Sequence, residues 1–219
     1  MQPPPKGDPE FSILGPSSGD ILGPDFSVYG WGPRSLTSVT AFVGSMNRDA
    51  SLQLHTEASA MNWEAIYSGV ASGNYQVYAT CNNNGRYPAP PTTIPVTVDA
   101  TPGITIDPPI KPGPLGAGGP QTNPWDGWKV TGTYDATKIK KVVIYLTRKG
   151  ISFWLGGQGQ RRNEKEATLN TNDGKWTCDL NFMWEGNRGN GFLAHYVATR
   201  KSDDKLVHGS IRSFFNGPA

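Results

Sequence analysis

Residues 148–162, with the sequence RKGISFWLGGQGQRR, form the stretch best suited to contact another molecule. Two aromatic rings stand among basic side chains in a glycine-rich setting that is typical of a hairpin. Exposed rings beside hydrogen-bond donors can hold sugars or protein partners. The candidate binding residues are Lys149, Phe153, Trp154, Arg161 and Arg162, with Trp125 as a further candidate outside the hairpin. The alternative is that these rings complete a hydrophobic core.

Nucleophilic and metal chemistry would require the histidines, which are His55, His195 and His208. His55 and Glu57 are two positions apart and could share a strand face as metal ligands, but no third ligand lies nearby, which favours a surface pair. His195 is out of phase with Tyr196, so it should point to the opposite sheet face, and no Ser or Cys nucleophile is evident beside it.

Two carboxylate pairs could in principle perform acid–base catalysis. Glu164 and Glu166 alternate with a lysine, which predicts a polar strand edge, and Asp203 and Asp204 stand between lysines in a predicted hairpin turn. Glycosidase carboxylates instead face each other across an aromatic cleft. The acceptor-rich turn residues Asn82, Asn83, Asn84 and Asp173 could bind calcium, but a solvated turn is the simpler interpretation. We therefore predict no enzyme activity, no catalytic residue, no metal and no cofactor.

The composition favours an all-β protein. The 219 residues include 27 Gly and 19 Pro, which mark many turns, and seven Trp, eight Tyr and eight Phe, which supply core material. The net charge of +2 is too small for the concentrated basic face that nucleic acid requires. The longest apolar run, residues 142–146, is far shorter than the ~20 residues of a membrane-spanning helix. No secretory signal is visible at the N-terminus, MQPPPKGDPE.

The chain carries an internal repeat of strand patterns. Residues 26–43 and residues 128–146 each give a strand, a polar corner and a second strand with alternating apolar residues. Gly30 aligns with Gly132, and Trp63 aligns with Trp176. The offset between the copies changes only in predicted loops, as expected for insertions. We predict that each tryptophan lies at the centre of its own core, and that Cys81 and Cys178, one in each copy, are separate thiols.

These motifs resemble the bacterial immunoglobulin-like repeat domains of surface adhesins, secreted enzymes and phage structural proteins. The matching segments of the second copy are WKVTG (128–132), VVIYL (142–146), DGKW (173–176) and YVAT (196–199). Those of the first copy are FSVYG (26–30), VTAFV (39–43) and GNYQVYAT (73–80). The resemblance implies two tandem immunoglobulin-like β-sandwiches of about seven strands each, and it implies fold rather than ligand.

The predicted organisation has three parts. Residues 1–10 are an extended tail, residues 11–100 are the first sandwich, and residues 101–219 are the second. The second contains a Pro/Gly-rich crossover at 107–124 and a loop insertion at 150–167, neither of which fits the repeat pattern. Residues 17–24 are predicted to be a turn region.

The expected function is that of a non-enzymatic structural, display or adhesion module in a cell-surface or virion assembly. The alternative is a carbohydrate-binding module that uses the aromatic residues of the 148–162 hairpin. Protein partners or surface glycans are expected, with no nucleic acid and no membrane insertion, and the sequence sets no oligomeric state.

Overall fold

The structure is a computed structural model that describes residues 10–55, 60–82, 93–107, 129–148, 164–179 and 191–216. Strands, turns and bends account for the regular structure of these residues, and no helix occurs among them. The prediction of an all-β fold is therefore confirmed. No helix of the described part is long and apolar enough to span a membrane.

The described residues form sixteen strands, nine of which precede residue 100. They are β1 (Ser12–Gly15), β2 (Ile21–Leu22), β3 (Phe26–Pro33), β4 (Ser38–Val43), β5 (Met46–Asp49), β6 (Ser51–His55), β7 (Ala60–Tyr67), β8 (Gly73–Asn82) and β9 (Ile94–Val98). Seven strands follow in the second half. They are β10 (Lys129–Thr133), β11 (Ile139–Arg148), β12 (Glu164–Glu166), β13 (Thr168–Asn170), β14 (Lys175–Asp179), β15 (Gly191–Arg200) and β16 (Leu206–Asn216).

The strands form two small sheets and one large sheet. Small sheet 1 has the order β1-β3-β7-β6, and small sheet 2 has the order β10-β14-β13. The third sheet has nine strands in the order β12-β11-β15-β16-β2-β9-β8-β4-β5, so it runs through both halves of the chain, and we call it the shared sheet. Alternation explains its inner face: in β4, Val39, Ala41 and Val43 are buried while the residues between them are not.

Each half has its own hydrophobic core around one tryptophan. Trp63 belongs to the first core and Trp176 to the second, and neither has exposed surface, as predicted. The two rings are seated alike, because each lies over a glycine. A Cβ on Gly30 would lie 2.7 Å from the Trp63 ring, and one on Gly132 would lie 2.5 Å from the Trp176 ring. The paired positions that the repeat aligned therefore have the same packing role.

The two cores lie on opposite faces of the shared sheet. Residues opposite each other on neighbouring strands point to the same face, and successive residues alternate. Ile21 pairs with Val207, and both belong to the second core. Leu22 pairs with Val98, and both belong to the first core. The side chains of the two β2 residues thus pack in the cores of different sandwiches.

The prediction that residues 17–24 form only a turn region was wrong, because they contain β2. This strand pairs in parallel with β16 on one side and with β9 on the other. Further backbone bonds reinforce the connection: Gly23 donates to the carbonyl of His208 over 2.6 Å, and Asp99 donates to the carbonyl of Leu22 over 2.8 Å.

Other sequence expectations can be placed on this fold. Cys81 and Cys178 are free and buried in different cores, as predicted. The predicted crossover at 107–124 lies outside the described residues after Asp107. The insertion at 150–167 is described only from residue 164, where it forms β12 and a buried Ala167. The division into sandwiches 11–100 and 101–219 stays a prediction.

Candidate functional site

The predicted binding hairpin cannot be placed on the fold. Its six candidate residues lie outside the described part of the chain, so their role in binding stays a prediction. They are Trp125, Lys149, Phe153, Trp154, Arg161 and Arg162.

The described residues place two hollows at the junction of the two halves, one on each face of the shared sheet. Adjacent residues of β15 mark them, because His195 lines the first and Tyr196 lines the second. We call the first hollow the histidine cleft and the second the junction groove. Both combine side chains from the two halves, which are far apart in sequence.

The histidine cleft is a cavity of about 240 Å³ between small sheet 1 and the outer face of the shared sheet. Its polar lining comes from Asp20, Ser27 and Tyr29 in the first half and from Tyr145, His195 and His208 in the second. Tyr145 and His195 face each other on β11 and β15, and their rings stack with centroids 4.8 Å apart. His195 points away from the core, as predicted, yet it is only 3% exposed because other groups cover it.

A buried carboxyl group lies beside this cleft. Glu64 is the partner of Tyr29 across β3 and β7, and it is only 4% exposed. Burial raises the pKa of Glu64 from 4.5 to about 7, although a hydrogen bond from the side chain of Ser27 acts in the opposite direction. The Oε1 atom of Glu64 has no hydrogen-bond partner among the residues that the structure describes. Ser27 also lines the cleft, so its hydrogen bond to Glu64 connects this carboxyl group to the cleft.

These groups do not form a metal centre or an evident catalytic set. In the ranges that the structure describes, no group of three His, Cys, Asp or Glu side chains could hold a metal ion. Glu164 and Glu166 are exposed on β12, at one edge of the shared sheet, which is the polar edge that was predicted. Asp203 and Asp204 lie in a turn, where Asp203 accepts the amide of Lys205.

The junction groove is larger, at about 730 Å³. Its walls come from the turn between β2 and β3, the connection at residues 100–106, and the corner that follows β10. The floor includes the buried side chains of Pro102, Ile104, Tyr134 and Tyr196. Its more exposed lining residues are Asp25, Thr101, Thr105, Thr133, Asp135 and Lys138.

Two tyrosines give the groove hydrogen-bonding capacity. The hydroxyl of Tyr134 is buried and has no hydrogen-bond partner within the described part of the chain. Burial raises the pKa of Tyr196, and the negative charges of Asp25 and Asp99 raise it further, so its hydroxyl stays protonated at neutral pH. Space for the Tyr196 ring exists because Gly23 and Gly209 present no Cβ to it.

The acidic groups at the rim are held in place by backbone amides. Asp25 accepts the amide of Gly69 at Oδ1 over 3.0 Å. Asp135 accepts both the amide and the hydroxyl of Thr137 at Oδ1, and these two bonds are the main reason why the pKa of Asp135 is lowered. Each carboxylate is thus anchored through its Oδ1 atom, which fixes the orientation of the group at the rim.

Sequence reasoning missed both hollows, since their residues are scattered over corners and connections. The available signal was local: the Asp-x-Thr pattern of Asp135 and Thr137 predicts a rigid corner, but it does not show what the corner faces. His55 and Glu57 gain no support, because Glu57 and the side chain of His55 lie outside the described part.

No protein-family model and no curated protein matches this chain. Among solved structures, it is similar to the fibronectin(III)-like modules of Clostridium thermocellum CbhA, with 17% identity and a TM-score of 0.34, over 94% of this chain and 93% of that chain. It is also similar to the BSP domain of a biofilm-associated protein, with 12% identity and a TM-score of 0.29, over 92% of this chain and 30% of that chain.

A third similar structure is SGBP-B of a Bacteroides ovatus mixed-linkage glucan utilisation locus, in complex with a mixed-linkage heptasaccharide. The identity is 12% and the TM-score 0.27, over 94% of this chain and 44% of that chain. The chain therefore spans less than half of two of these three structures. All three likenesses are loose, so neither family membership nor function follows from them.

Proposed function

We propose that this chain is a non-enzymatic structural or adhesion module that holds two β-sandwiches at a fixed relative position within a cell-surface or virion assembly. The observation that carries the proposal is the shared sheet. Tandem domains joined only by a linker move relative to each other unless their interface is large. Here β2 joins both halves through backbone ladders and contributes one side chain to each core.

The ends of the shared sheet support a role as a discrete unit. Its terminal strands are β5, with the sequence MNRD, and β12, with the sequence EKE. Short, charged edge strands resist pairing with further strands. Partners would therefore bind at faces, hollows and loops rather than by extending the sheet, and we propose protein partners or glycans, with no nucleic acid and no membrane insertion.

A distance measurement tests whether the two sandwiches are held rigidly. Ser45 and Thr171 are exposed turn residues in different halves, and Ser45→Cys with Thr171→Cys allows a fluorophore pair to be attached. The native thiols should not compete, because both are buried and burial raises the pKa of each. Single-molecule energy transfer should give one narrow distance distribution. A broad or multiple distribution would contradict a fixed geometry.

Gly23→Pro serves as the uncoupled control for this measurement. It removes the amide that donates to the carbonyl of His208, and its ring would overlap the Tyr196 hydroxyl. The distribution should broaden in this variant while the first core stays folded.

The non-enzymatic part of the proposal is tested separately. Turnover of a glycoside, ester or peptide by the purified chain that is abolished in Glu64→Gln would refute it.

A second candidate function is saccharide binding. The junction groove favours it, since the groove has the size of a ligand site and carries hydroxyl and carboxylate groups along an apolar floor. The sequence had assigned this function to the 148–162 hairpin instead.

A further inference from the structure

We propose that the junction groove binds a neutral saccharide. This inference deepens the second candidate function, and it does not depend on whether the chain acts as a rigid scaffold. The groove, rather than the histidine cleft, carries it because its volume of about 730 Å³ lies within the range of roughly 300–1,000 Å³ that is typical of ligand sites. The histidine cleft, at about 240 Å³, falls below that range.

The floor of the groove suits the apolar face of a sugar ring. Pro102 and Ile104, two positions apart in the connection between the halves, are buried, and Ile106 is half-buried farther along. A pyranose ring has C–H groups that gain from burial against such a surface, while its hydroxyls need partners at the sides.

Hydroxyl groups at the sides of the groove can supply these partners. Thr105 and Thr133 are exposed, and their hydroxyls bond to each other over 2.8 Å, which keeps both at the rim. Tyr134, in the floor of the groove, carries a buried hydroxyl that has no hydrogen-bond partner among the described residues. An unmade hydrogen bond at a buried hydroxyl is unfavourable, so a sugar hydroxyl that meets it after a small rotation of the ring would recover that bond.

The charges of the groove select a neutral ligand over an acidic one. Among the described residues that line it, Asp25 and Asp135 are acidic and only Lys138 is basic, and the carboxylate of Asp99 is near enough to act on Tyr196. An anionic saccharide would meet net negative charge, whereas neutral sugar hydroxyls can donate to the two fixed carboxylates.

Binding by the complete chain should be measured with an array of neutral glucose, xylose and mannose oligosaccharides, acidic oligosaccharides and basic peptides. Two variants test the site. Tyr134→Phe removes only the unpartnered hydroxyl, and Thr101→Trp places a large ring at an exposed lining position. Tyr78→Phe is the matched control, because Tyr78 is half-buried, stacks on Phe42 and does not line the groove.

We expect at least one neutral oligosaccharide to bind. Tyr134→Phe should weaken that binding about fivefold to tenfold, the factor expected for one neutral hydrogen bond, and should not lower the melting temperature, since no bond is lost in the free protein. Thr101→Trp should abolish binding, and Tyr78→Phe should leave it unchanged.

Three results would overturn the inference. They are no binding to any neutral oligosaccharide, binding confined to basic peptides or acidic sugars, and binding that both groove variants leave intact. The last result would instead direct attention to the hairpin at residues 148–162. None of these outcomes affects the distance distribution between the sandwiches, so failure here can be told apart from failure of the scaffold proposal.

Discussion

At the scale of single residues, Glu64 is an unfavourably placed carboxyl group beside the histidine cleft. Its carboxyl is 4% exposed, one oxygen has no partner among the described residues, and the hydrogen bond from Ser27 only partly offsets the loss of hydration. A carboxyl group in this setting favours the neutral form. Small proteins have little stability to spare, so the charge state of this one group should change the free energy of unfolding measurably.

We predict that Glu64→Gln raises the stability of the protein at alkaline pH. The pKa of Glu64 in the folded protein, about 7, lies above its ordinary value of 4.5. The free energy of unfolding is therefore highest below about pH 4.5, where the carboxyl is neutral, and this contribution is lost as the pH rises through 7. Gln stays neutral and can still accept from Ser27. At pH 8 the free energy of unfolding should increase by up to roughly 3 kcal/mol.

Urea unfolding at pH 4 and at pH 8 checks this prediction. The two proteins should differ little at pH 4, and Glu164→Gln, at an exposed position on β12, should show no such change with pH. A Glu64→Gln protein that is less stable than the parent at pH 8 would show that the carboxylate is satisfied there.

We also predict that Gly132→Ala is strongly destabilising. The added Cβ would overlap the carbonyl oxygen of Thr105 and lie 2.5 Å from the Trp176 ring, which is fully buried and donates to that same carbonyl over 2.9 Å. Relief requires moving both groups, so the cost should reach about 1–3 kcal/mol or more. Thermal unfolding followed by tryptophan fluorescence measures it.

Gly73→Ala is the control for this substitution. Its Cβ would meet only the half-buried ring of Tyr75, at 3.3 Å, which can move aside. Equal melting temperatures for Gly132→Ala and the parent protein would mean that the tryptophan is not seated as described.

The central residues of both cores could be predicted from sequence because their signals are local and repeated. Alternation places Val39 and Val43 inside, and the aligned Gly30–Trp63 and Gly132–Trp176 pairs identify one large ring for each core. A glycine within a strand pattern indicates a close approach, and here the approaching group is the indole.

At the scale of elements, β2 shows where this kind of prediction fails. A strand of two residues, between Gly19 and Gly23, has no period to detect. Its partners, β9 and β16, are distant in sequence and pair with it in parallel, so no hairpin turn announces the contact. Pairing with distant strands makes this segment a strand, whereas the local sequence pattern favours a turn.

We predict that substitutions of the two β2 residues destabilise different halves of the molecule. Ile21→Ala removes a side chain from the second core, and Leu22→Ala removes one from the first, each at a cost of about 2–5 kcal/mol. Hydrogen exchange should quicken in β15 and β16 for Ile21→Ala and in β8 and β9 for Leu22→Ala. Faster hydrogen exchange that is restricted to β1–β9 in both variants would contradict the assignment of Ile21 to the second core and Leu22 to the first.

At the scale of the whole molecule, the junction creates both hollows as a consequence of the shared sheet. The adjacent residues His195 and Tyr196 of β15 point to opposite faces of the shared sheet, and each lines one hollow where the two halves meet. Their lining residues extend from Gly15 to Gly209, so no contiguous motif marks them. A binding site of this kind follows from the assembled fold and was beyond local pattern analysis.

We predict that an isolated fragment of residues 101–219 is less stable than the same residues in the complete chain. Without β2, Val207 and His208 of β16 lose their strand partners, and the second core loses Ile21, which pairs with Val207. An open strand edge promotes pairing between chains. Sedimentation should therefore show self-association of the fragment at concentrations where the complete chain is monodisperse, and urea unfolding should show a lower midpoint. A monodisperse fragment that unfolds at the same urea concentration as its counterpart in the complete chain would mean that β2 contributes nothing to the second sandwich, and the fixed geometry proposed for the module would lose its structural basis.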